Sequence, residues 1–460
     1  MPNITLRVGA VCLLAACNSS ESIQPDRTDD PMAAGTHDVT QHGVVDRAAA
    51  EAQIVESAAP DWWELHAGPV RELLPRQSSA PDATAYHFGR GDVTFPTQET
   101  RIGVELSGFE PWRDGDSIQL ISPNAGFSIW AFDTDFAPLE EGATEASNRF
   151  VRWDRTRSPL VEPARGDTTY VAQMTDRVSA DNTHYAVMTR ATMANGFAVA
   201  DGQASTLAAT LSTLAPDRTV ALHYRATEFA ALASQAGPNT SPAADADLAI
   251  KTLPEPLASN NSLWRSYYMY LPTLVEVWGA AGQRDFDETI HYGSPFHGDW
   301  TDVVTLEYPM VVHVPGVGGM TARIVQATRV DALASVLLSP ALSPVRNPQI
   351  DGHSLDAPVT GIGHGATVTW DAPVLGTATN YSVTVQQIVR IQDGYQIKPV
   401  ATFYTRQSSL RLPTIATEHA SSYLLTITAI SSPGRDLTLR PLLGSLPFAS
   451  TDYVSARITP

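Results

Sequence analysis

Cysteine is missing from all but the first 17 residues of this 460-residue chain, whose two are Cys12 and Cys17. Beyond them there is no disulfide, no thiolate metal ligand and no cysteine nucleophile, so stability must come from packed cores. The length suffices for about three of these. Lysine is equally scarce, at Lys251 and Lys398, and 30 basic residues face 49 acidic ones for a formal net charge of -19. No basic stripe runs through the sequence, which argues against nucleic acid, whose affinity rests on phosphate contacts. No run of about 20 apolar residues exists to span a bilayer as a helix. The usual catalytic signatures are also missing: no Gly-x-Ser-x-Gly elbow, His-Glu-x-x-His, phosphate-loop Gly-x-x-x-x-Gly-Lys or EF-hand loop occurs. Gly316, Gly318 and Gly319 follow a strand-like run but have no such lysine, and read as a turn. The sequence implies no cofactor.

What is present begins at the amino terminus. Arg7 precedes the short apolar run Val8 to Ala16, and small residues follow, the order of a secretory signal. Leu14-Ala15-Ala16-Cys17 resembles the lipobox of bacterial lipoproteins. The resemblance implies cleavage after residue 16, a diacylglyceryl group on the Cys17 sulfur and acylation of the new amino terminus. Each buried CH2 contributes about 0.8 kcal/mol, and two or more acyl chains hold stably where one does not. Asn18, where Asp would signal inner-membrane retention, implies the outer membrane. Residues 17–59 read as a disordered acidic tether. Residues 18–59 hold eight acids, two arginines and no aromatic, too little apolar surface to offset ordering entropy. The Ala-rich stretch 46–59 has the composition of a transient helix, and Trp62-Trp63 would mark where the tether meets the first domain.

The carboxy-terminal third alternates with period two. Val368 and Trp370, then Tyr381, Val383 and Val385, then Leu410 and Leu412, then Tyr423, Leu425, Ile427 and Ala429 each mark one buried strand face. These residues resemble a fibronectin type III domain over 346–460. The resemblance places Trp370 on the second strand and Tyr381 on the third. Leu410 or Leu412 becomes the fifth-strand leucine, and Tyr423 the tyrosine corner. The connection at 432–450 is longer than the family's. Between 60 and 345 short β-like runs are bounded by Gly, Pro, Asp and Asn. A strand and a short helix are expected within 219–237, and a connector at 238–248. The predicted fold class is all-β. Tandem β-sandwich-like units at 60–237 and 249–345 precede the fibronectin type III-like, immunoglobulin-like sandwich. "HYGSPFHGDW" at 291–300 resembles a segment of uncharacterised lipoproteins from predatory soil bacteria, the myxobacteria.

Several residue groups invite chemistry. His291, His297, Asp299 and His313 offer imidazole and carboxylate ligands suited to zinc. Yet His313 lies in an apolar strand, where a hydrogen-bonded core histidine is the commoner role, and His291 and His297 flank a turn. Asp114 with Asp116, or Asp133 with Asp135, are oxygen donors for calcium, which takes 6–8 such ligands; solvated turn acids are the alternative. Arg90-Gly91-Asp92 matches an adhesion tripeptide and reads equally as a polar turn. Trp264, Tyr267, Tyr268, Tyr270 and Trp278 fall within fifteen residues. Aromatic rings on a flat β face bind sugars, and alternating aromatics also build cores. Asp285, Asp287 and Glu288 supply carboxylates for a glycosidase, which needs two about 5 to 9 Å apart.

The expectation is therefore a non-enzymatic, lipid-anchored protein of the cell envelope, at the outer membrane. It would present β-sandwich modules for protein or glycan binding, adhesion or scaffolding. Its partners would be the membrane, through Cys17, and a protein or glycan ligand. The alternative is a periplasmic or surface polysaccharide hydrolase with an accessory fibronectin-like domain.

Overall fold

The computed structural model describes residues 53–460 apart from 67–69, 78, 84–87, 91, 132–138, 154–157, 244–245, 256–270, 278–283, 331–334, 364, 392–393 and 415–421; it also describes a strand pair, His37–Val39 with Val45–Ala48. Strands dominate, and the one α-helix among the described residues is the seven-residue Ala226–Leu232. The chain is all-β, as its period-two patterning predicts. Thr100–Ser107 shows why: Ile102, Val104 and Leu106 point inward while Arg101 and Glu105 face water.

Three strands, Thr100–Ser107, Glu145–Trp153 and Ser205–Thr210, form one small sheet. Its inner face meets Ser117–Ser122, Phe127–Ala131 and Thr169–Val178 around Trp153, Phe127 and Leu120. A second core lies under another three-stranded sheet, in which Arg218–Tyr224 runs between Phe286–Tyr292 and Ser335–Leu338. Phe229 of the helix stacks on Tyr308 there, with centroids 5.5 Å apart. Residues 218–236 thus lie with a core built largely by residues beyond the 238–248 connector, within which Thr240–Pro242 pairs with Met310–Val312.

The carboxy-terminal part is a two-sheet sandwich. His353–Ser354, Arg346–Ile350, Thr367–Asp371 and Ser409–Arg411 form one sheet. Gly394–Thr405, Asn380–Ile391, Tyr423–Ser431 and Phe448–Val454 pair in that order in the other. This is the fibronectin type III-like arrangement. Trp370 and Tyr381 meet edge to face across the sandwich at 5.3 Å. Tyr423 is fully buried at the start of its strand; burial pushes its hydroxyl pKa up to about 12, with Asp351 adding to the rise.

Neither outer strand of the second sheet is left open along its full length. Phe448–Val454 pairs on its far side with Ile324–Ala327 of the long strand Gly318–Arg329. Arg71–Pro75 lies parallel to Ala401–Phe403, and Trp62–His66 and Gln53–Glu56 continue the ladder beyond it. The long connection after Ser431 fills the angle between these parts. Its Leu437 and Leu442 pack with Leu65, Leu74, Leu253 and Val303.

Two expectations change as a result. Trp62 packs on Phe403 at 5.2 Å in the carboxy-terminal core, and Trp63 lies under the Arg76 guanidinium at 5.0 Å. The pair therefore anchors the amino-terminal hairpin to the last domain, not to the 102–211 core. The stretch 46–59 carries strand, not helix, at Gln53–Glu56, because Ile54 and Val55 pair with Leu65 and Glu64.

An ionic cluster crosses the seam between the middle and last parts. Arg323 Nε pairs with Glu307 Oε1 at 2.5 Å, while the Arg323 backbone N–H donates to Asp452 Oδ2 at 3.0 Å. The Thr428 hydroxyl donates to Asp452 Oδ1 at 2.8 Å. Desolvation raises the Asp452 pKa, partly offset by the Thr428 hydrogen bond and Arg323. A carboxyl with a raised folded pKa contributes stability below its unfolded pKa and loses it as pH rises through the folded one. Asp452→Asn cannot ionise; its amide oxygen can still accept from the Arg323 N–H, while its NH2 group can donate to the Thr428 hydroxyl with the direction of that bond reversed. Its urea midpoint should match or exceed wild type at about pH 8, and the advantage should vanish toward about pH 4. The opposite ordering would show that the ionised carboxylate stabilises the seam.

Candidate functional site

The sequence-selected residues fall into three groups. Cys17, Trp264, Tyr267, Tyr268, Tyr270, Trp278, Asp133 and Asp135 lie outside the described residues. His291, His297, Asp299 and His313 are described and all four are exposed. His313 is therefore no core histidine: it sits on the outward face of Trp300–Val314, between buried Val312 and Val314. His291 Nδ1 lies 3.0 Å from the Thr219 hydroxyl, its cross-strand neighbour. Among the described residues no three His, Cys, Asp or Glu side chains are placed to hold a metal ion.

The segment around His291 and His297 has a structural use. The Tyr292 hydroxyl donates to Asp302 Oδ2 at 3.0 Å, and Arg218 Nη1 reaches both Asp302 oxygens at 2.6 Å. A Cβ on Gly293 would lie 2.5 Å from the Ala215 carbonyl oxygen, so only glycine fits without displacement. Phe296 stacks on Trp300 at 4.5 Å and meets Tyr170 at 5.0 Å. The acids that suggested hydrolysis are engaged as well. Asp287 binds His223 Nδ1 at 2.5 Å and Arg225 Nη1 at 2.8 Å on the outer sheet face. Arg225, then His223, hold its carboxyl below the usual range, the wrong direction for a general acid. Asp285 accepts from Thr227 at 3.1 Å.

Two further motifs are only partly solvated turns: Asp114 is exposed in its turn, but Asp116 is not. Asp116 is buried and accepts from the backbone N–H groups of Asp176 at 2.8 Å and Arg113 at 3.0 Å. It ties the 113–116 turn to the adjacent strand; burial raises its pKa, and those backbone bonds oppose the rise. Arg90 is 5% exposed and is the hub of a buried ionic knot. It reaches both oxygens of the fully buried Asp167 at 3.0 and 3.1 Å, Glu162 at 3.0 Å and Asp92 at 2.7 Å. Asp92 also pairs with Arg165. This arginine is therefore withdrawn from solvent and engaged by acids of its own chain.

Sequence reasoning passed over the outward face of the Thr100–Ser107 sheet. Down its central strand run Arg101, Gly103, Glu105 and Ser107. Ser205–Thr210 flanks it in parallel, placing Thr206 across from Gly103, Ala208 from Glu105 and Thr210 from Ser107. Glu145–Trp153 flanks the other side, placing Arg152 across from Arg101 and Phe150 across from Gly103. Phe150 is 57% exposed. A Cβ added to Gly103 would make ordinary contacts with the Thr206 hydroxyl at 3.4 Å and the Ser205 carbonyl oxygen at 3.6 Å. At the other end, Glu105, Ser107, Glu145, Ser147, Ala208 and Thr210 are among the residues around a shallow concavity of about 430 Å³. The Ser107 and Thr210 hydroxyls lie 3.0 Å apart across it. An exposed ring, small residues, hydroxyls and charged residues thus share this outward face. The pattern was hidden because Phe150 sits among arginines, where an outward aromatic carries no periodic signal.

No protein-family model matches the chain, and no curated protein does. Among solved structures, the chicken CNTN1 FN1-FN3 domains are similar over 74% of this chain and 89% of that one, with 9% identity and a TM-score of 0.14. That likeness is too slight to carry an argument about arrangement or function.

Removing Arg90 tests the knot. Arg90→Ala strands the Asp167 carboxylate in a dry site, and urea unfolding should show a loss of about 3–5 kcal/mol. A loss no larger than that of an exposed arginine would show that water takes the guanidinium's place.

Proposed function

We propose that this is a non-enzymatic, lipid-anchored protein of the bacterial cell envelope that presents β-sandwich surfaces for binding or scaffolding. The observation that carries the reading is the strand ladder through Phe448–Val454, which joins the carboxy-terminal sandwich to the middle sheet. Modules fused by main-chain pairing hold their outer faces at set spacings, as a presenting scaffold requires. The sequence supplies the address: the apolar run Val8–Ala16 and Leu14-Ala15-Ala16-Cys17 resemble a lipoprotein signal. Cys17 would carry the acyl chains, and residues 18–52 would span from the bilayer to the first strand of the hairpin. The chain's acidity discourages non-specific contact with anionic surfaces.

Substituting the anchor tests the assignment. Cys17→Ser should move the protein from the membrane fraction to the soluble fraction of exporting cells, without loss of the folded part. Continued sedimentation with membranes, after a high-salt wash, would contradict it.

A further inference from the structure

We infer that the outer edge of the strand Ser205–Thr210 pairs with the same strand of a second copy of this chain, about a two-fold axis through Ala208. The inference adds a partner to the proposed function. The strand's own geometry carries it, and only the crowding of copies on one bilayer rests on that earlier reading.

The edge is open in a defined way. Ser205–Thr210 runs parallel to Thr100–Ser107 and has no second strand partner among the described residues. The Leu211 N–H donates to the Ser107 carbonyl at 2.8 Å. Successive residues of a strand turn their N–H and C=O groups to opposite sides, so the odd-numbered residues bond inward to Thr100–Ser107. Thr206, Ala208 and Thr210 therefore direct theirs to the free side, and all three residues are exposed.

The usual protections of such an edge are missing. Proteins blunt an exposed edge with charge or proline. The opposite edge of the same sheet, Glu145–Trp153, has Glu145, Arg149 and Arg152 in its sequence. The edge strand Phe286–Tyr292 has Asp287 and Glu288. Residues 202–215 hold neither a charge nor a proline.

That neutrality selects the partner. An uncharged strand meets its own copy without like charges facing each other, although the chain as a whole is acidic. The two-fold through Ala208 sets the strands antiparallel. Thr206 then lies opposite the partner's Thr210, and Ala208 opposite the partner's Ala208, each pair exchanging both N–H···O bonds. Thr–Thr is a favourable cross-strand pair. A two-fold through Leu207 leaves Thr210 opposite Ala204, outside the strand. On the inner side Leu207 lies opposite Ala209, so the apolar layer that contains Leu207 continues across the join. One strand edge buries far less than the roughly 1,200 Å² of a stable interface. Dilute protein therefore stays single-sided here, and pairing belongs to concentrated or co-anchored copies.

The test places cysteine in the full-length chain, whose native cysteines end at Cys17. The protein is held in detergent at about 1 mM, the effective concentration that a tether provides. Mild oxidation should cross-link Ala208→Cys to itself, because facing residues of a hydrogen-bonded pair lie about 5.5 Å apart at Cα, within disulfide reach. Thr206→Cys and Thr210→Cys should each cross-link about tenfold more slowly alone, and readily when mixed. The unmutated chain should not cross-link. Ala208→Lys should weaken association about tenfold in sedimentation over rising concentration, with an unchanged thermal melt because the position is exposed. Salt should strengthen the wild-type association by screening the repulsion between two acidic chains. Failure of Ala208→Cys to cross-link, equal cross-linking by Thr206→Cys alone, or association undiminished by Ala208→Lys would each overturn the inference. The test is run in solution, so its result stands whether or not Cys17→Ser releases the protein from membranes.

Discussion

The arrangement of this chain depends on one strand having two partners. Phe448–Val454 pairs with Tyr423–Ser431 inside the carboxy-terminal sandwich and with Ile324–Ala327 outside it. A fibronectin-like sheet normally leaves that strand as an edge, a row of unpaired N–H and C=O groups that invites aggregation. Here the long strand Gly318–Arg329 covers it, and the amino-terminal hairpin covers part of the opposite edge through Arg71–Pro75. The extended 432–447 connection is what makes room for this. Its Leu437 and Leu442 build a fourth apolar cluster that packs hairpin, middle sheet and sandwich together. A chain without disulfides gains its unity from main-chain pairing and this shared core.

Polar groups that resemble active-site parts are mostly consumed by the same task. Arg90 binds Asp167 and Glu162, Arg218 and Tyr292 bind Asp302, and Arg323 binds Glu307 beside Asp452. Each knot fixes a loop or seam where strands from distant parts of the sequence meet. Buried ion pairs gain little net stability, yet losing one partner is costly. They act as registration points. What the knots leave for solvent is a set of outer sheet faces, among them the one through Arg101, Gly103 and Phe150.

Much of the architecture was legible because period-two alternation is a direct readout of one buried face. Val368 and Trp370, or Leu425 and Ile427, lie where the alternation puts them. The strand and short helix expected within 219–237 are found as Arg218–Tyr224 and Ala226–Leu232. Long-range partnership was not, since nothing in Trp62-Trp63 distinguishes a neighbour at 70 from one at 403. Burial of isolated charges was equally hidden: Arg90 and Asp116 sit among Gly and Asp, a composition that turns and buried ionic knots share. For the site, residue type misled. A row of histidines drew attention to 291–313, where all four candidate ligands face water separately, while a lone phenylalanine among arginines raised no signal.

Hydrogen–deuterium exchange on the intact protein tests the doubly paired strand most directly. The account predicts that backbone amides of 449–451, the part paired on both sides, exchange as slowly as those of 424–430, and far more slowly than those of the single-sided edge strand 205–210. Exchange of 449–451 at the rate of that edge, with 424–430 still protected, would mean that the sandwich and the middle sheet do not share the strand. The fused scaffold would then have to be abandoned.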